Sequence, residues 1–116
     1  MKTFTKYAAQ GDFLIIKIDA LPQKIEAVTP RGAHHVIAHS ETGHDHVMEA
    51  ERVQCYKPMG TADKDIYELF LAVEAPTEIN HLRSFDTHEP ILVNPGNYMV
   101  KRQREYVAEG FRRAAD

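Results

Sequence analysis

The stretch Ile66-Tyr-Glu-Leu-Phe-Leu-Ala-Val73, IYELFLAV, is the most apolar segment of the chain, and its conformation decides the fold class. Glu68 and Leu69 favour a helix. The shortness of the segment and the nearby Pro76 favour a strand. As a strand it puts Tyr67, Leu69, Leu71 and Val73 on one face. Phe70 and Ala72 make much of the other face apolar too. A strand apolar on both faces belongs inside a sheet, so residues 66–73 are expected to form a central strand.

Working outward, Gly and Pro punctuate the chain, and the pieces between are short and rich in β-branched and aromatic residues. Strands are expected at Phe13–Ile18, Ala33–His39, His44–Met48 and Arg52–Lys57. Two prolines and no clean period make 21–32 a connection. Ser40–Gly43 reads as a turn, with Gly43 free to take positive φ, and 58–65 as a loop. Beyond the central segment, Thr77–Leu82 is a strand with Pro76 at its head, and Arg83–Pro90 is a loop. Ile91–Val93, then Asn94–Asn97, then Tyr98–Gln103 reads as strand, turn, strand, with Pro95-Gly96 suited to the centre of a type II turn. After Tyr106, Val107, Phe111 and Ala114 suit a helical turn that Gly110 weakens. Eight such strands in 116 residues predict one all-β domain over 1–116. The expected form is a small antiparallel barrel or jelly roll, a cupin-like one among the candidates, with a short C-terminal helix or arm.

Composition narrows the function. An apolar fraction of 43% with 27% charged residues is that of an ordinary globular domain. The longest apolar run, FLII, falls far short of the ~18 residues that span a bilayer. The N-terminal segment lacks the apolar core of a secretory signal. The single Cys55 cannot form an internal disulfide and fits a reducing compartment, so a cytoplasmic protein is expected. A net charge of −3 argues against general nucleic-acid binding. The basic stretch Lys101–Arg113 reads as a solvated strand and tail. Protonating all seven histidines would carry the charge from −3 to +4. Solubility or assembly is therefore expected to change between about pH 5 and 7.

The chemistry is concentrated in His39–Glu51, HSETGHDHVMEAE. His44 and His46 are two apart and share a face if the strand is regular. Two imidazoles so placed can reach one divalent ion, at Zn–N distances of ~2.0–2.1 Å. A third ligand must come from elsewhere. Glu51 has the wrong parity unless a turn forms at Glu49-Ala50-Glu51; His81, in a neighbouring predicted strand, is the other candidate. His39 and His88 lie near loops and have weaker claims. The plain alternative is that these histidines bond to backbone carbonyls or to Glu41 and Asp45. The other candidates read as structural. Cys55, in a strand beside Val53, is a buried, inert thiol. Ser40 lacks a nucleophile elbow, and no Gly-rich phosphate loop is present. Glu68, Glu74 and Glu78 read as strand-end charges facing water. Arg102–Glu105 reads as a polar run at a salt-bridged edge or dimer contact, so self-association is an open alternative.

The pattern H-x-H-x4-E over His44–Glu51 resembles the first metal-binding motif of the cupins, small double-stranded β-helix barrels. That resemblance implies His44, His46 and Glu51 as ligands of a divalent transition metal. The second cupin motif is incomplete: NPGNYMV has the Pro-Gly turn but no following histidine, and Ala38 stands where the first motif has glycine. A more extended resemblance is to a family of small uncharacterised bacterial proteins. It rests on Gly11-Asp12, Leu21-Pro22, AHSETGHDH from Ala38 to His46, and PGNYMVKRQREY from Pro95 to Tyr106. It implies a cytosolic β-rich protein and carries no activity. Two functional readings follow. The first is a binding or structural module without chemistry; the second is a metal-binding enzyme or sensor built on His44, His46, His81 and Glu51.

Overall fold

A computed structural model describes residues 2–10, 13–39, 45–62, 66–81 and 90–102. The strands in chain order are β1 (Tyr7–Gln10), β2 (Phe13–Ile18), β3 (Ile25–Ala27), β4 (His34–His39), β5 (Asp45–Glu49), β6 (Val53–Pro58), β7 (Glu68–Val73), β8 (Thr77–His81), β9 (Ile91–Val93) and β10 (Gly96–Arg102). A short 3-10 turn, Ala50–Arg52, joins β5 to β6. The all-β expectation holds. Two antiparallel sheets are stacked, a six-stranded one in the order β1-β2-β10-β7-β6-β3 and a four-stranded one in the order β4-β5-β8-β9. Among the described residues no ladder joins the two sheets into a closed barrel, so the architecture is an open sandwich. The expected C-terminal helix falls outside the described residues.

Both faces of β7 contribute buried residues, Phe70 on one and the inward row on the other. Leu69, Leu71 and Val73 point into the core, and β7 lies between β10 and β6 as a central strand should. The register carries the inward row across the sheet. Ile15 faces Val100, Val100 faces Leu69, Tyr98 faces Leu71, and Leu71 faces Cys55. From the other sheet Ile37, Met48, Ile79, Ile91 and Val93 close the core. The expectation for Tyr67 needs correcting. The strand begins at Glu68, two residues later than expected, Tyr67 is exposed, and Ile66 is buried in the core instead. The tyrosine backbone is used there: its carbonyl accepts the Arg102 N–H at 2.8 Å.

Two more expectations change. The connection 21–32 contains β3, which pairs Ile25, Glu26 and Ala27 with the end of β6. Three residues carry too little periodicity to be read as a strand, and only β6 makes them one. Strands do flank the Pro95 region, but β10 already begins at Gly96, so the expected type II turn over Asn94–Asn97 does not form, and β9 and β10 lie in different sheets. The link is a corner between layers. Gly96 takes a φ of 150° there, and the Tyr98 hydroxyl donates to the Asn94 carbonyl at 2.7 Å, pinning the corner. The Phe4 and Tyr98 rings meet edge to face, with centroids 5.8 Å apart.

Candidate functional site

Several of the polar residues singled out in the sequence, among them His39, His46, His81, Glu68 and Arg102, belong to strand ends that share one end of the sandwich. At that end lie the first residues of β2, β5 and β7 and the last residues of β4, β8 and β10. Antiparallel pairing dictates this within each sheet, because Phe13 is opposite Arg102 and Lys101 is opposite Glu68. In the other sheet His39 is opposite Asp45 and His46 is opposite His81. Contacts between layers bring the two ends together. The Phe13 ring meets the His46 ring edge-on at 5.1 Å.

Arg102 locks this end. Its Nε and Nη2 donate to the carbonyls of Ile37 (2.8 Å) and Val36 (3.0 Å), and Nη1 donates to the Ile66 carbonyl (3.1 Å). The acceptors are available for a local reason. The β4–β5 register slips between Val36 and Ala38, and among the described residues β4 is an edge strand. A guanidinium presents donors in a fixed fork that fits such divergent carbonyls. Burial lowers the Arg102 pKa, while Cys55 and Asp45 nearby act the other way. The reading of Arg102 as part of a salt-bridged edge or dimer contact is therefore corrected: it is a cross-layer tie at the end of β10. Sequence alone offered only a faint signal, in that position 102 falls on the inward parity of Tyr98 and Val100.

Of the predicted metal residues, the structure places His46, Glu51 and the backbone of His81. His46 is fully buried, facing inward with Met48, and its partner in the β5–β8 register is His81. Glu51 is exposed on the 3-10 turn, at the end of β5 away from His46. The turn that would have freed Glu51 from its parity thus exists, but at the wrong end of the strand. His44, Glu41 and His88 lie outside the described residues. Among the described residues no three His, Cys, Asp or Glu side chains converge as a metal-holding group. Asp45 lies 3.8 Å from the Arg31 guanidinium. Cys55 is buried, and desolvation pushes its thiol up to about 12, with Arg102 opposing. It stays a thiol at neutral pH, as a core residue would.

His35 is also buried, and it has a backbone hydrogen bond to Val53. Desolvation lowers its pKa below the ordinary 6.5, the hydrogen bond only partly offsetting this. The unfolded chain therefore takes up this proton before the folded one does. The stability contributed by the neutral ring is complete above pH 6.5 and is lost as pH falls below it. Thermal midpoints should drop on going from pH 7 to pH 5, and the drop should be shallower in His35→Gln. Equal slopes in the two proteins would show that His35 is not the group responsible.

A concave surface that the sequence did not reveal lies on the outer face of the four-stranded sheet. It is an open groove of about 270 Å³. Its floor includes Val47, 3% exposed yet apart from the main core, together with Leu92. His34, Glu49, Glu78 and Arg52 supply its charged and titratable rim. The rim is partly preset. Arg52 Nη1 donates to the Pro76 carbonyl at 3.1 Å, and its Nε lies 3.4 Å from Glu49. The register explains the groove: Val36 faces Val47, Val47 faces Asn80, and Glu78 faces Leu92, all on the outward parity. Glu78 had read as a strand-end charge. Period-two alternation through Val47 and Glu49 was the available signal, but only the pairing shows that these residues adjoin Glu78.

Fold and site together define a small open antiparallel β-sandwich with a buried polar end and an outward groove. The family model of a domain of unknown function (DUF8820) matches residues 9–103, and the chain belongs to that family. No curated protein and no solved structure matches it. Among the described residues no helix is long and apolar enough to cross a membrane.

Proposed function

We propose that this protein is a binding module that holds a small ligand or a partner's side chain on the outer face of its four-stranded sheet and does no covalent chemistry. The observation that carries this reading is the groove itself. It has Val47 and Leu92 at its floor, a mostly polar lining, and a rim preset by the Arg52 contacts, which suits a small charged or polar group. The buried polar groups at the other site serve the fold. Arg102 spends its donors on three carbonyls, and Cys55 is held as a thiol. Two rim carboxylates, Glu49 and Glu78, against one guanidinium that already contacts Glu49 favour a cationic group.

A second reading has its own observation. His46 and His81 are register partners, and His44 stands two residues before His46 in the sequence. This favours a divalent cation held by His44, His46 and His81 at the polar end, since imidazole suits several such metals. Glu51 is too far along β5 to join the set.

One titration tests both readings. Amide NMR spectra of the full chain are recorded with n-butylamine, spermidine, butyrate and then Zn²⁺. The groove reading expects shifts at Val47, Asn80 and Leu92 with the amines, abolished by Val47→Arg, and none with butyrate. Amine shifts spread over the whole surface, or absent, would defeat it. The metal reading expects changes with Zn²⁺ at His46 and His81 that vanish in His46→Ala. Less than a tenth of an equivalent of bound metal, about the floor for a specific site, would remove it.

A further inference from the structure

The outer face of the six-stranded sheet should be polar if water covers it, because an antiparallel sheet with one face in the core ordinarily alternates. It is not. The register places Tyr7, Ile16, Met99, Phe70, Tyr56 and Ala27 side by side in one row across all six strands. Phe70 is only 7% exposed, yet it does not belong to the inter-sheet core. Tyr7 at the row's end is 61% exposed. One flanking row holds Leu14, Lys101 and Glu68, and the other holds Ile18, Asn97, Ala72 and Gln54. An apolar band between more polar borders is the anatomy of an interface.

The arrangement of charge says what fits on it. We propose that this face binds a second copy of the same chain, face to face, about a two-fold axis running along the strands between β10 and β7. That line is the centre of the sheet, with β1, β2 and β10 on one side and β7, β6 and β3 on the other. The axis sets β10 over the partner's β7, β2 over its β6 and β1 over its β3. Met99 then meets the partner's Phe70, Ile16 meets the partner's Tyr56, and Tyr7 meets the partner's Ala27. Lys101 meets the partner's Glu68, twice by symmetry. Moving the axis onto β10 would set Lys101 against Lys101. The charge pattern therefore selects the central axis, and the face is self-complementary as an isologous contact requires. Pairs near the axis are the least displaced by the ~30° rotation usual between stacked sheets. The dimer leaves both grooves on its outside. The inference does not depend on what the groove binds.

The test is sedimentation velocity of the full chain, with far-UV circular dichroism confirming that each variant is folded. Wild type should be mostly dimeric at about 0.1 mM, where a contact with a Kd of ~10 µM pairs roughly four-fifths of the chains. Met99→Glu buries a charge at the centre of the contact and should weaken it at least about a hundredfold. Glu68→Lys and Lys101→Glu should each weaken it about tenfold by setting like charges opposite one another. Their combination restores the pairing and should restore the dimer. If Met99→Glu does not fold, the charge exchange decides alone. A monomeric wild type, whatever else covers the face, overturns the proposal. So does a dimer indifferent to the single charge reversals, or a double exchange that fails to recover.

Discussion

Arg102→Met should lose about 2–4 kcal/mol of stability in urea unfolding, an unusually large effect for a charged residue that is not fully buried. The side chain donates to three backbone carbonyls, on Val36, Ile37 and Ile66. Methionine keeps much of the stem and removes every donor. Each carbonyl left without a partner away from water costs ~1–3 kcal/mol, and water reaching this end of the sandwich reduces the sum. Two of the carbonyls belong to the irregular edge strand β4 and the third precedes β7, so the loss frees one layer from the other. Arg102→Lys separates charge from geometry. Lysine keeps the cation but not the fork, so it should recover less than half of the loss. If lysine restored wild-type stability, charge would be the main contribution and the three-carbonyl tie would be secondary.

Leu71→Ala should cost about 3–4 kcal/mol, by the lost transfer energy of the side chain and the cavity it leaves. Leu71 is 0% exposed and lies between Tyr98 and Cys55 in the register. The next residue supplies the control. Ala72 faces outward between Asn97 and Gln54, and Ala72→Ser should stay within about 0.5 kcal/mol. A large difference between adjacent positions is the energetic signature of a two-residue period. Equal losses would mean that both faces of β7 are packed alike in solution. Chemical denaturation of the two variants, compared at equal m-values, decides it.

The stretch 66–73 shows how much the sequence could say. Its short, doubly apolar pattern determined a central strand, because side chains on a strand must alternate and both faces here avoid water. The same local rule located β2, β4, β5, β6, β8 and β9 to within a residue or two, since each carries its own alternation or turn signal. It also made Cys55 a core thiol. Local rules stop where a residue's role depends on a distant partner. β3 is a strand only because β6 lies beside it. His81 became the partner of His46, and Glu51 was carried to the other end of β5, through register and connection that parity alone does not give. Arg102 looked like a surface charge until the slipped register of β4 offered it carbonyls from the opposite layer. The apolar row from Tyr7 to Ala27 draws its members from six separate strands, and no window of sequence contains it. Periodicity is set by the chain's own backbone and is legible wherever a strand is long enough to repeat it, which the short β1 and β3 are not. Register, layer and neighbour are set by contacts between segments far apart in the chain, and those only the tertiary structure decided.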